Sequence, residues 1–553
     1  MTSQHATLTD ATRPLRWAAY GLLIAIATGG MLSRIAAVTN GSRSEPTPLL
    51  SANDRSRWST IRALVDEGTY AIDNIIFDER GNRQQGWHTI DLVRHRASDG
   101  REHFYSSKPT LLPTLLAGEY WLVRQVTGVT LEKQTFYVVR VMLVLTNVLP
   151  LVIALILLAR IVELYGSTDA GRLFVMAGAC SGTFVTTFAC TLNNHTIAAV
   201  SAVFTLVAFL PVWCQERREW RYFLIAGLTA AFTAANELPA LAFFAAVALG
   251  LFMKAPLQTL VGFLPPALLV AAAAFGTNYY AHGDWKTPYA HRKDGPVIAA
   301  VPLPSRINST TKPAILEPRM REQFKQQGIE LSTRTSIVAT KRGTRWVIFD
   351  PDQQQRYAIV SPAKLSNTDQ SSATSPPAMN GELRQWDNWY EFDGSYWSSG
   401  RLSSVDNGEP SIAVYAVHCL IGHHGIFSLT PIWILSLGGC AIWMRGANKS
   451  LAGLAWMTVA LTVTVLAFYF TRGQIDRNYS GFSCCLRWMI WFTPLWLLML
   501  IPAADWLARY RWGWSLAVLF LVMSVFSAQY AADNPWTHPW IFDYWTHLGW
   551  IEY

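Results

Sequence analysis

The sequence predicts an all-α polytopic membrane protein of about 11 transmembrane helices, carrying a small mixed α/β extracytoplasmic domain. Three observations predict it. Of 553 residues, 51% are hydrophobic and only 15% charged, where soluble domains carry roughly 25% charge. Apolar runs near the roughly 20 residues a span needs recur from end to end. Many of the 24 Trp and 20 Tyr sit at the ends of those runs, where amphipathic rings occupy the headgroup level.

The first apolar run, Trp17 to Val38, follows Arg13 and Arg16. It exceeds the roughly 7–15 residues of a signal-peptide core, and more spans follow, so it reads as a retained signal-anchor with its N-terminus inside. Further spans are expected at 140–160, 172–192, 196–214, 256–280, 426–444, 451–471, 486–504 and 512–530. The run 111–127 is interrupted by Glu119 and Arg124 and reads as lying along or dipping into the outer face, with Glu119 a structural partner of a nearby Arg. The run 222–252 is long for one helix, and "ANELPA" at its middle divides it into two short ones. This assignment puts Arg160 and Arg172, Arg217, Arg218 and Arg221, Lys254, Arg445 and Lys449, and Arg509 and Arg511 all inside. It satisfies the positive-inside rule at every turn, whereas the opposite one exports "ERREWR". The chain is therefore expected in the cytoplasmic membrane among its lipids, N-terminus in and C-terminus out.

Three stretches follow from it. Residues 1–281 form an N-terminal membrane module with an outer loop at 39–139, 282–425 form the extracytoplasmic insert, and 426–553 form the C-terminal helices with a short outer tail. In the insert, "TRWVIFD" and "QRYAIV" flank "PDQQ", a strand–turn–strand pattern, and 362–380 reads as a flexible loop. No internal repeat is evident.

The net charge of +8 reads as Lys and Arg in cytoplasmic loops. No basic run is interleaved with aromatics, so no nucleic-acid partner is expected. Of seven Cys, Cys180, Cys190, Cys214, Cys419 and Cys440 lie in or near apolar segments and read as packing residues. Cys484 and Cys485 are neighbours, poor spacing for a disulfide framework or a zinc site. No metal or redox motif is evident and no cofactor is expected; a divalent metal requirement is left open.

The topology gathers "LNNHT" (192–196), "NEL" (236–238), the insert and "RGQIDRNYSGFSCCLR" (472–487) on the side of the 39–139 loop. Polar groups at membrane depth are costly unless they line a cavity, so this convergence points to a site. Asp54 is a candidate general base, with a helix cap or a solvated charge as the plain alternative. Arg55 and Arg57 flank it, and Trp58, Ile61, Leu64 and Val65 follow in a pattern expected of an amphipathic helix lying on the membrane. Lys108, just before Pro109 and an apolar helix, is placed to snorkel or to hold a lipid phosphate. Glu237, in a very apolar segment, is a functional acid or a structural hydrogen-bond partner. His418, His423 and His424 have poor metal spacing and read as interfacial packing.

The order of these residues resembles the polytopic GT-C glycosyltransferases, most closely glycosyltransferase family 39 and its bacterial relatives, which include protein O-mannosyltransferases and lipid A aminoarabinose transferases. The family's first outer loop reads Asp-Glu-x-Arg-Tyr, then Gly, then Tyr-x-x-Lys-Pro-Pro-Leu. This chain has Asp54-Arg55-Ser56-Arg57-Trp58, Gly68 and Tyr105-Ser106-Ser107-Lys108-Pro109-Thr110-Leu111. The late stretch 478–500 is similar to the family's Gly-Pro-Arg-Tyr-Leu segment, with Arg487-Trp488 at its Arg-Tyr. Arg55 replaces the family's second acid, Thr110 its second Pro, and Cys485-Leu486 its Gly-Pro. The resemblance implies inverting transfer of a sugar from a polyprenyl-phosphate donor to an acceptor left open between protein, lipid and glycan. It implies Asp54 as base and Lys108 and Arg487 as cations beside the leaving phosphate. Arg57 joins those cations or holds Asp54, and no metal is assigned. Asn193, Asn194 and His195, at a helix start, then contact sugar hydroxyls or cap the helix. A transporter or flippase of lipid-linked glycans would use the same cationic site, but such proteins pair broken helices, and only 222–252 is broken here. A structural or sensory protein would leave the Asp54, Lys108 and Arg487 pattern unexplained.

Overall fold

The computed structural model describes residues 11–39, 46–304, 313–340, 345–353, 355–361, 380–397 and 402–553. The chain forms two compact units. One comprises Met1–Thr89, Lys108–Ala281 and Ser403–Tyr553, and the other Ile90–Ser107 and His282–Leu402.

The first unit is helical. After α1 (Arg13–Ala37) come α2 (Ala52–Asp66) and α3 (Leu111–Thr127). Then follow α4 (Thr135–Tyr165), α5 (Asp169–Cys190), α6 (Asn194–Gln215), α7 (Trp220–Asn236), α8 (Leu238–Lys254) and α9 (Pro256–His282). The C-terminal part adds α10 (Ile432–Arg445), α11 (Lys449–Phe470), α12 (Arg487–Leu507) and α13 (Arg511–Tyr530). Among the described residues, eight of these, α1, α4, α5, α6, α9, α11, α12 and α13, are long and apolar enough to cross a bilayer, and α8 and α10 are apolar but shorter. This is an integral membrane protein, mostly helical. The expected division of 222–252 is present: α7 ends at Asn236, and Glu237 stands in the break before α8. The expected span 426–444 is interrupted, because Ile426–Leu429 and α10 are separated at Thr430–Pro431. Proline has no N–H to donate and disfavours helix in the residue before it.

Burial orders the helices. The apolar stretch of α12 is 89% buried and that of α5 is 83% buried, against 22% for α1, so α5 and α12 form the middle of the bundle. Small residues permit this packing. A Cβ at Gly439 of α10 would run into the Met499 carbonyl of α12, and one at Gly227 of α7 into that of Phe263 in α9. At one end of the bundle, Arg16 pairs with Glu163 (2.8 Å) and Asp169 (2.7 Å), and Asp505 accepts the backbone N–H groups of Ser167 (2.7 Å) and Thr168 (2.8 Å).

The second unit is built on an antiparallel six-stranded sheet ordered β3-β8-β7-β6-β5-β4. The strands are β3 (Val297–Pro302), β4 (Ala314–Ile315), β5 (Ser336–Thr340), β6 (Arg345–Asp350), β7 (Gln355–Val360) and β8 (Asn380–Gln385). The expected hairpin around "PDQQ" is β6–β7, closing with Asp350 opposite Gln355. The helix Pro318–Gln326 sets Met320 and Phe324, one turn apart, into a core with Ile337, Ile348, Ile359 and Leu383. The expected loop 362–380 falls, but for its last residue, outside the described residues. The boundaries differ from the expected 282–425. The hairpin β1 (Leu92–Arg96) and β2 (Glu102–Ser106), from the 39–139 loop, belongs to this unit, whereas 403–425 belongs to the helical one. Contacts far apart in sequence decide it: Arg94 N–H donates to the Trp389 carbonyl (2.8 Å), and Arg356 pairs with Glu102 (3.0 Å).

Candidate functional site

The site begins with a helix cap. Ser51 is the N-cap of α2, and Asp54 donates its backbone N–H to the Ser51 hydroxyl (3.1 Å). In return Asp54 Oδ1 accepts the Ser51 N–H (3.0 Å), which closes a capping box. Asp54 Oδ2 accepts the Leu50 N–H (3.1 Å) and the Thr191 hydroxyl (2.8 Å). The carboxyl is thus 1% exposed with both oxygens bonded. Burial pushes its pKa up from the ordinary 3.8, outweighing the opposing pull of Arg55 and of these hydrogen bonds.

The expectation that α2 lies amphipathically on the membrane is corrected here. Every residue from Asn53 to Ala63 is buried, polar and apolar alike. The polar side chains find partners inside: Arg55 donates to the His88 carbonyl (3.0 Å) and Arg57 to the Asn53 carbonyl (3.1 Å) and side chain.

The first turn of α6 meets α2. Asn193 is the N-cap, its Oδ1 accepting the Thr196 N–H (2.8 Å). Arg57 donates to Asn194 Oδ1 (2.6 Å), and Asn194 Nδ2 donates to Glu237 Oε1 (2.6 Å) in the α7–α8 break. The same Glu237 oxygen bonds His195 Nδ1. A carboxylate there assigns the proton to Nδ1 and leaves the Nε2 lone pair facing Arg487 Nη1, 3.4 Å away. Arg487 also donates to the Ser480 carbonyl (2.8 Å) and lies 4.8 Å over the Trp536 ring. The turn before it runs through three successive left-handed residues, Tyr479, Ser480 and Gly481. For the first two that backbone costs about 1–3 kcal/mol each, strain of the kind concentrated at functional sites. Trp536 Nε1 donates to the Thr191 hydroxyl (3.1 Å), which donates to Asp54.

The contacts therefore close a ring: Asp54, Thr191, Trp536, Arg487, His195, Glu237, Asn194, Arg57 and back to α2. Six of the residues singled out from the sequence stand in it. Asn193 caps α6 beside it, and Lys108, 7% exposed, lies three residues ahead of α3 and outside the ring. Sequence reading missed Thr191 and Trp536. Thr191 adjoins the polar stretch 192–196, and Trp536 lies in the C-terminal tail with no spacing pattern to mark it. The ring forms at the start of α6, the break between α7 and α8, the start of α12 and beyond the end of α13. Arg217, Lys254, Arg509 and Arg511 mark the opposite ends of these helices.

Glu119 departs from expectation: its Oε2 accepts the Thr146 hydroxyl (2.7 Å), and among the described residues Oε1 has no hydrogen-bond partner and no Arg pairs with the carboxyl. His423 and His424 are fully buried; His424 stacks with Tyr479, His423 meets the same ring edge-on, and His418 stacks on His423. Burial holds His423 neutral, its pKa pushed down to about 2. Among the described residues no group of His, Cys, Asp or Glu is placed to hold a metal ion, and the described cysteines are free thiols.

The ring, closed between Arg57 and Asp54 by α2 itself, links two guanidinium groups, two buried carboxylates and an imidazole through Thr191, Trp536 and Asn194. Such a set can bind an oxyanion at Arg57 and Arg487 and take up a proton at Asp54 or at His195 Nε2.

No family model and no curated protein matches the sequence. Among solved structures the chain is similar to the apo-form oligosaccharyltransferase of Archaeoglobus fulgidus, at 12% identity and a TM-score of 0.43. The match covers 94% of this chain and 56% of that one, so the chain spans little more than half the length of that protein. A likeness at this level carries nothing about chemistry.

Proposed function

We propose that this protein is a membrane glycosyltransferase that moves a sugar from a polyprenyl-phosphate-linked donor to an acceptor on the extracytoplasmic side of the cytoplasmic membrane. One observation carries the reading: two cations and two buried carboxylates joined in a closed ring at the end of the bundle opposite its Arg- and Lys-rich loops. The acceptor hydroxyl attacks the anomeric carbon. Its proton passes to Asp54, the new C–O bond forms, and the bond to the phosphate oxygen breaks. Arg57 and Arg487 stabilise the charge that develops on the departing lipid phosphate, with Lys108 as a third cation. Asp54 reaches the acceptor by exchanging the Thr191 hydroxyl for the acceptor hydroxyl. Asn194, His195 and Glu237 hold the sugar.

Purified protein, assayed for transfer of radiolabelled sugar from polyprenyl-phosphate donors to a range of acceptors, tests the reading. Wild type transfers and Asp54→Asn does not. Movement of the lipid across the bilayer with no sugar transferred would replace the enzyme with a flippase. Transfer that survives Asp54→Asn but is lost in His195→Ala would move the base to His195.

A further inference from the structure

A groove of about 1260 Å³ opens in the helical unit beside the C-terminal half of α2. It is walled by the segment 73–87 and by residues 132–137 at the head of α4. Arg62, on its wall, lies eight residues beyond Asp54, about 12 Å along the helix at ~1.5 Å per residue. The ring and the groove thus occupy successive lengths of one buried helix.

The groove is held in shape by its own contacts. Arg62 pairs with Glu132 (3.0 Å) and lies 4.9 Å over the Trp87 ring. The loop is fastened where Gln84 donates to the Phe77 carbonyl (3.0 Å) and Asp78 N–H to the Asn82 carbonyl (2.8 Å). Its lining holds five carboxylates against three cations, with side-chain amides and the rings of Phe77, Trp87 and Tyr137 between them.

That balance excludes one class of ligand and favours another. The excess of carboxylate repels a lipid phosphate or any other polyanion. Carboxylates and amides that accept hydroxyl protons, beside aromatic faces that cover a ring's C–H surface, suit a sugar that is neutral or carries an amine. We propose that this groove binds the acceptor as a carbohydrate of that class, feeding its hydroxyl along α2 toward Asp54. The word acceptor rests on the glycosyltransferase reading; the binding of a sugar does not.

The test is calorimetric titration of the full-length protein in detergent with three trisaccharides: neutral maltotriose, amine-bearing chitosan trimer and anionic trigalacturonate. Maltotriose or the chitosan trimer binds and trigalacturonate does not. The paired substitutions Glu79→Gln and Tyr137→Ala, both at exposed side chains, weaken binding about tenfold, the loss of one good polar contact. Preference for trigalacturonate, no binding of any of the three, or binding that ignores the paired substitutions overturns the inference. The two readings fail separately. Sugar binding without transfer from any donor removes the enzyme and keeps the groove. Transfer whose acceptor KM is untouched by the paired substitutions removes the groove and keeps the enzyme.

Discussion

Asp54→Asn separates the two roles that the geometry gives one carboxylate. Three bonds end on it: Leu50 N–H at 3.1 Å, Ser51 N–H at 3.0 Å and the Thr191 hydroxyl at 2.8 Å. An amide oxygen in the Oδ2 position keeps two of them. Its NH2 then opposes the Ser51 N–H, so one bond is lost and two become weaker neutral ones. Relief from burying a charge offsets part of this, which leaves a net loss of about 1–2 kcal/mol, the size of a lost helix cap. Catalysis responds on another scale. A general base contributes about 10²–10⁴ in rate, or roughly 3–5 kcal/mol of barrier. A fold stable by ~5 kcal/mol or more stays about 99% folded after the smaller loss, so instability cannot imitate the larger effect. The assay is sugar transfer at fixed folded protein, with thermal unfolding in detergent measured beside it. Transfer within about tenfold of wild type, together with a lowered unfolding temperature, would make Asp54 a cap and refute its role as base. The pH dependence gives a second check. Because burial raises the folded pKa above 3.8, the ionised base and hence transfer increase as pH rises through the raised value. The stability contributed by this group runs the other way: it is full below 3.8 and is lost as pH climbs through the folded pKa. In Asp54→Asn both dependences from this group disappear.

Glu237→Leu removes the oxygen that takes the bonds of His195 Nδ1 and Asn194 Nδ2 and lowers transfer about 10–100-fold, the loss of one or two hydrogen bonds to a charged group; an unchanged rate would make the pair purely structural. Arg345→Met strands Asp294 and Glu391, which Arg345 holds from a buried position at 2.8 and 2.7 Å. It costs the sheet unit about 3–5 kcal/mol, visible as faster hydrogen exchange along β6. Gly439→Ala forces α10 away from the Met499 carbonyl and costs about 1–3 kcal/mol; an unfolding temperature equal to wild type would show that the two helices do not pack this closely.

Much of the helical framework is legible because hydropathy is local. A span needs a run of apolar residues, and the division at Glu237 shows where one run is too long for one helix. The β6–β7 hairpin is legible for the same reason, two alternating strands around one turn. The fate of α2 was not. Its sequence, with apolar residues at helical spacing among charges, reads as a surface helix, and nothing in the residues themselves says that Arg55 will meet the His88 carbonyl or Arg57 will meet Asn194. The sequence pairs Glu119 with an Arg because charge seeks charge, whereas the fold gives it the Thr146 hydroxyl.

The candidate residues divide in the same way. Asp54, Arg57, Asn194, His195, Glu237 and Arg487 stand out in sequence because polar groups at the ends of apolar runs are costly and call for a reason. The sequence by itself therefore determined that this is a membrane protein of many helices and which polar residues gather toward one end of them. Only the tertiary structure decided that they touch in a closed ring, that Thr191 and Trp536 complete it, and that both Asp54 oxygens are taken. Those contacts join residues up to 345 positions apart, as in the Trp536–Thr191 bond. They depend on how buried helices pack side by side, which no periodicity along the chain encodes.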